Sequence, residues 1–191
     1  MTRRDAVLDA AIEVLADGGM RRLTHRAVDE RAALPAGATS NVCRTRGALV
    51  SGVLGRIAER ELALWGAVVT GAAERGGVDS FADALATLVD RLAREHPALT
   101  RARQAVVADP EAMAAARDAH AGALARIRAR LVAELRTLGL PAAEADHSLV
   151  LALLDGLLLA RVTAPDEGPD VRRAIASLLT GLRAGPPSAG A

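Results

Sequence analysis

The chain has 191 residues, enough for one compact domain or a small domain joined to a modest second one. With 51% apolar and 25% charged residues it can bury a core, which excludes a chain disordered throughout. The net charge of +1 hides a division: residues 1–60 carry ten arginines against seven acids, whereas residues 61–191 carry fourteen against sixteen.

Within those classes the composition is lopsided, with 44 Ala and 27 Leu against one Phe, one Trp and no Tyr, and all 24 basic residues are Arg. Ala, Leu, Arg and Glu favour helices, and the β-branched and aromatic residues that fill strands are scarce. A sandwich or β-barrel is excluded and the expected class is all-α, with about nine helices marked off by Gly, Pro and capping residues. The single cysteine, Cys43, excludes an internal disulfide and a Cys-based zinc site. The N-terminal MTRRDAVLDAA carries charges where an export signal needs an apolar core. The longest apolar stretch, Leu149 to Ala160, is interrupted by Asp155 and is too short to span a bilayer. A cytoplasmic location is expected.

The first helix is expected from Arg3 to Asp17, with Val7, Leu8, Ala11, Ile12 and Leu15 on one face and Gly18-Gly19 as its end. Thr24 caps a short second helix through Ala33, buried through Ala27, Val28 and the stem of Arg31. After the turn Leu34-Pro35-Ala36-Gly37 comes a very short third helix, Gly37 to Cys43. Thr45 caps a long fourth helix reaching residue 75. Ser80 to His96 is amphipathic through Phe81, Leu85, Leu88, Val89 and Leu92, and Pro97 opens the next helix, which ends near Asp109-Pro110. Met113, Ala116, His120, Leu124, Ile127, Leu131, Leu135 and Leu138 form one seam of a long helix closed by Gly139. A helix opened by Pro141 and another from Asp170 to Arg183 follow, and residues 186–191 are expected as a disordered tail.

Residues 24–46, THRAVDERAALPAGATSNVCRTR, carry the most specific signal. Two short helices joined by a tight turn are the helix-turn-helix arrangement, which lays its second helix in the major groove. A seven-residue helix does not persist alone, and the face GATSN is too polar to anchor a core, so it reads as a helix held by its neighbours and displayed outward. The same segment also reads as a capped loop between two core helices.

The run LTHRAVDERAALPAGATS, followed by RTRGALV at the start of a long helix, resembles the TetR family of bacterial transcription regulators over residues 5–58. The resemblance implies a three-helix DNA-binding domain over residues 1–46 and a helical effector-binding and dimerisation domain over residues 47–185. It implies a homodimer on double-stranded operator DNA, with a small-molecule effector in the C-terminal half. Thr24 and Arg46 would then hold the phosphate backbone, with His25 and Thr45 at the same helix starts. Gly37, Ala38, Ser40 and Asn41 would face base edges, Ala38 touching a thymine methyl and Asn41 pairing with adenine. Each Thr also reads as an ordinary N-cap. One departure stands out. The family places aromatic or His residues and then Phe ahead of the long helix, where this chain has Asn41, Val42 and Cys43. The smaller Cys43 implies looser packing on the first helix, by about 1 kcal/mol or more. Cys43 itself reads as an inert core residue ahead of a redox sensor.

The effector cavity implied by the resemblance lies between the fourth and eighth helices, with Trp65, Leu88, Leu92, His96, Gln104, Val107, Met113, His120, Leu124 and Leu154 as candidate lining. Scarce aromatic residues favour a small or aliphatic effector. The last two helices would pair with their symmetry mates through Leu157, Leu158, Val162, Ile175, Leu178, Leu179 and Leu182, with Asp155 needing a partner such as Arg161, Arg172 or Arg173. No Ser/His/Asp elbow, P-loop or dinucleotide fingerprint appears, and the four His residues form no i, i+4 pair. Catalysis, a cofactor, a metal and a membrane partner are therefore not expected. The expected function is a repressor released from an inverted-repeat operator by its effector. A helical dimeric ligand-binding or interaction protein with weak or lost operator binding is the competing reading.

Overall fold

The structure is a computed structural model describing residues 2–184. Ten helices follow one another among the described residues: α1 (Arg3–Arg22), α2 (His25–Arg31), α3 (Ala38–Val42), α4 (Arg46–Val68), α5 (Ala72–Glu95), α6 (Pro97–Val107), α7 (Pro110–Ala115), α8 (Arg117–Thr137), α9 (Glu144–Thr163) and α10 (Val171–Ala184). The all-α class is as expected. The expected tail over 186–191 lies outside the described residues.

Several boundaries differ from the sequence pattern for identifiable reasons. Gly19, at φ 64° and ψ −168°, kinks α1 where an end was expected, and helical turns resume to Arg22. The seam from Met113 to Leu138 is not one helix. Ala116 leaves helical geometry at φ −112° and ψ 12°, dividing α7 from α8 with no Gly or Pro to announce it. Asp109 caps α7 by accepting the Ala112 N–H at 2.9 Å, ahead of Pro110.

The chain divides into two compact units, one of residues up to Glu61 together with His96–Arg126, the other of Leu62–Glu95 and the residues from Ile127 onward. This division differs from the expected domains 1–46 and 47–185 because α6 packs along α1 and so joins the N-terminal helices.

In the first unit Val7, Leu8, Ala11, Ile12 and Leu15 of α1 are buried, together with Leu23, Val28, Leu49, Val53, Ile57, Leu99 and Val106. Each large aliphatic removed from water contributes about 1.5–3 kcal/mol, so the periodic face of α1 is where this unit gains its stability. α4 passes α1 at Gly52, where a Cβ would stand 2.8 Å from Leu8 Cδ2. Any larger residue there would force the Leu8 side chain to shift.

In the second unit Phe81, Leu85, Leu131, Leu135, Ile175 and Leu179 are fully buried, and α5 packs against α9 and α10. Arg161 pairs with Asp90 at 3.1 Å, and Arg172 pairs with Asp83 and Asp79. Glu134 accepts the N–H groups of Gly71 at 2.9 Å and Ala73 at 3.4 Å, tying α8 to the first turn of α5. Asp155 is exposed to solvent, and Arg161 and Arg172, two of the arginines offered as its partners, pair with acids of α5. Leu157, Leu158, Ile175 and Leu179, expected at a dimer interface, are buried within their own chain, where α5 packs against α9 and α10. Val162, Leu178 and Leu182 stay half-buried, and the exposed leucines of α9 are Leu149 and Leu159.

Ala33 closes α2 with φ 51°, a left-handed conformation that costs an L-residue about 1–2 kcal/mol. Glycine relieves that strain at a smaller entropic cost in the unfolded chain. Ala33→Gly is expected to stabilise the protein by up to about 1 kcal/mol, read as a raised midpoint in thermal unfolding. An unchanged or lowered midpoint contradicts the strain.

Candidate nucleic-acid interface

The short helix α3 is organised by a residue that the sequence pattern did not single out. Asp29, on α2, is 5% exposed. Its carboxylate accepts the Gly37 N–H at 2.8 Å, the Thr39 N–H at 2.7 Å and the Thr39 hydroxyl at 2.6 Å. Burial pushes the Asp29 carboxyl up, but the three donors from Thr39 and Gly37 together outweigh it and hold the group below the ordinary carboxylate range. Gly37 reaches this geometry at φ 87°, a conformation suited to glycine. The segment GATSN is therefore not polar all round. Ala38 and Thr39 are buried, while Gly37, Ser40 and Asn41 are exposed.

This corrects the candidate set. Ala38, 3% exposed, has its methyl in the core and is not presented to a thymine. Arg46 donates to two backbone carbonyls, Leu23 O at 2.5 Å and Met20 O at 2.6 Å, so its guanidinium fastens the start of α4 to the end of α1 and keeps only its remaining N–H groups for a phosphate. His25 donates through Nε2 to Cys43 O at 2.7 Å, joining the start of α2 to the segment after α3. Thr24 and Thr45 are N-caps, accepting the Ala27 and Ala48 N–H groups at 3.1 Å. Arg44 was missed: it is exposed between α3 and α4 and, among the described residues, enters no ion pair. Arg21 and Arg22, at the end of α1, are in the same condition.

Cys43 is 3% exposed and lies where a Cβ on Gly52 would stand 3.7 Å from its Sγ. Burial pushes its thiol pKa up, with a smaller opposing pull from Arg4, so the reactive thiolate is disfavoured. An open groove of about 490 Å³ runs past it between α1 and α4, lined among others by Leu8, Val42, Gly52 and Gly55.

The effector candidates fall in both units. Trp65, Leu88 and Leu92 are buried in the second, where Leu154 is half-buried. His96, Gln104, Met113, His120 and Leu124 are half-buried in the first, and Val107 is exposed. The Trp65 indole N–H is buried without a partner among the described residues. No group of three metal-ligating side chains occurs among the described residues. None of the described helices is long and apolar enough to cross a membrane.

Residues 76–184 match the tetracyclin repressor-like C-terminal domain, more than half of the chain, and the chain belongs to that family of transcriptional regulators. A transcriptional regulator from Rhodococcus sp. Rha1 is similar in structure, with a TM-score of 0.76 and 24% identity over 96% of this chain and 97% of its own. A TetR-family member from Streptomyces coelicolor A3 gives 0.71 and 19% over 94% and 99%. The multidrug binding protein EbrR, complexed with imidazole, gives 0.67 and 20% over 94% and 96%. These likenesses show the fold. No curated protein sequence matches the chain.

Removing the Arg46 side chain leaves two carbonyls at the α1–α2 corner without their charged donor. Arg46→Ala is expected to destabilise the protein by about 1–3 kcal/mol, read as a lower urea midpoint in the absence of DNA. A role confined to phosphate leaves that midpoint unchanged.

Proposed function

We propose that the protein is a homodimeric repressor that binds an inverted-repeat operator and leaves it when a small molecule occupies the C-terminal half. The observation that carries the DNA reading is α3 itself: one face locked to α2 through Asp29, the other showing Ser40 and Asn41 to solvent, with exposed Arg44 directly after it. Asn41 offers an amide for adenine and Ser40 completes the surface that meets the bases, while Gly37, whose N–H and carbonyl are already engaged, only leaves room for close approach. Thr24, Thr45, Arg44 and the free N–H groups of Arg46 serve the phosphates and set register. The effector reading is supported by the buried, unpartnered Trp65 N–H, which an acceptor atom on a ligand would satisfy. It is supported also by EbrR, which is complexed with imidazole, ethidium and proflavin in related structures.

The competing reading, a helical ligand-binding or interaction protein with weak operator binding, is favoured by one observation. Val42 and Cys43 leave an open groove beside the end of α3, where the family places larger rings. Selection from a randomised duplex library, followed by gel shift, separates the two. An inverted repeat is expected, with half-sites about one helical turn or somewhat more apart. Asn41→Ala is expected to cost about 1–3 kcal/mol per half-site and relax one base position. Arg44→Ala is expected to weaken all duplexes alike and flatten the salt dependence. A wild-type protein that selects no sequence contradicts operator reading and leaves the competing one.

We assign the dimer contact to the exposed leucines of α9, Leu149 at 53% and Leu159 at 39%, and to the half-buried Val162, Leu178 and Leu182. Leu149→Glu with Leu159→Glu is expected to give folded monomers by light scattering and circular dichroism. Leu157→Glu places a charge in the protomer's own core and is expected to unfold the chain instead. Wild-type monomers at micromolar concentration contradict the assignment.

A further inference from the structure

We propose that Asp29 and Thr39 are positioning residues for sequence recognition: without touching DNA, they fix the rotation of α3 about its own axis and so decide which of its side chains meet the base edges. This rests on the reading of α3 as the base-reading helix.

Helix α3 has five residues, too few for its own hydrogen bonds to hold it. Of those five, Ala38 and Thr39 are buried and Ser40 and Asn41 are exposed, so the boundary between the two faces falls between adjacent residues. Successive helical residues are about 100° apart, and a turn of that size about the axis would exchange a buried residue for an exposed one. The methyl of Ala38 resists such a rotation weakly, because apolar contact is not directional. Hydrogen bonds are directional, and here one carboxylate makes three of them. Oδ2 takes the Gly37 N–H at 2.8 Å, while Oδ1 takes both the Thr39 N–H at 2.7 Å and the Thr39 hydroxyl at 2.6 Å. The two oxygens therefore hold α3 by its backbone at two points and by a side chain at a third. The same bonds occupy two of the N–H groups that open α3. Those groups are not available to a phosphate, and recognition by this helix is left to the side chains of Ser40 and Asn41.

The test measures two quantities on one set of variants: the thermal midpoint, and the ratio of affinities for the operator selected by the wild type and for a scrambled duplex. Thr39→Ser keeps the hydroxyl and is expected to keep the wild-type ratio. Thr39→Val, Asp29→Asn and the pair Asp29→Ala with Thr39→Val loosen the grip. Each folded variant is expected to bind the scrambled duplex within about twofold of wild type while the ratio falls roughly tenfold. Reselection with Thr39→Val is expected to shift the preferred base at the position read by Asn41. A purely structural role lowers the midpoint and weakens every duplex equally, with no change in ratio or preference, and that result overturns the inference. Where the Asp29 variants do not fold, Thr39→Val alone decides by the same ratio. A wild type with no sequence preference overturns the operator reading and this inference with it. A selective wild type with unaltered folded variants overturns the inference alone.

Discussion

The carboxylates of Asp5, Asp9, Glu13 and Asp17 stand four residues apart along α1, and the guanidinium groups they hold come from two other helices. Arg56 of α4 meets Asp9 through two bonds of 2.9 Å and approaches Asp5, Arg60 joins Asp9, and Arg31 of α2 spans Glu13 and Asp17. The hydrogen bonds to Asp9 raise the already high pKa of Arg56 further. Most of these pairs are partly exposed, so each contributes little energy. The buried apolar face of α1 supplies the stability, and the acidic ladder sets how α2 and α4 lie against it. The end of α2 and the start of α4 are the two ends between which α3 is suspended, so the placement of α3 follows from this one helix.

Much of this was legible in the sequence because it is local. Thr24 and Thr45 cap the helices they precede, and the apolar residues of α1 repeat at helical spacing, whereas the double glycines, expected as helix ends, kink α1 and α5 from within, and α4 stops earlier than expected, at Val68. What was not legible depends on partners distant in the chain. Asp29 meets donors eight and ten residues later, across a turn, and no short-range pattern distinguishes it from an exposed helix acid. Arg46 lies at a helix start that suggests a phosphate, yet its partners are carbonyls more than twenty residues earlier. The leucines of α9 divide between the protomer core and solvent, and composition alone cannot assign Leu157 to one and Leu159 to the other. The break at Ala116 has no sequence mark because alanine suits a helix on either side of it.

The absence of lysine shapes how the elements are joined. A guanidinium carries several donors in a planar fork, so one side chain reaches two acceptors at once. Arg31 spans two acids of α1, Arg46 two carbonyls, and Arg172 two acids of α5. An ammonium group also has several donors, but they radiate from one nitrogen and lack the reach and planar fork that let a guanidinium span two separated acceptors. The arginine-only composition therefore appears in the fold as cross-braces between helices, and it leaves Arg21, Arg22 and Arg44 outside the bracing.

Trp65 gives the molecule an unusual optical simplicity. The chain has no tyrosine, one phenylalanine and this one tryptophan, whose ring is buried on the second half of α4. With Phe81 absorbing only weakly at shorter wavelength, near-ultraviolet absorption and intrinsic emission are dominated by one indole, and its unpartnered N–H makes the excited state sensitive to any acceptor placed beside it. A change in indole emission from the unlabelled protein reports on one address in the chain.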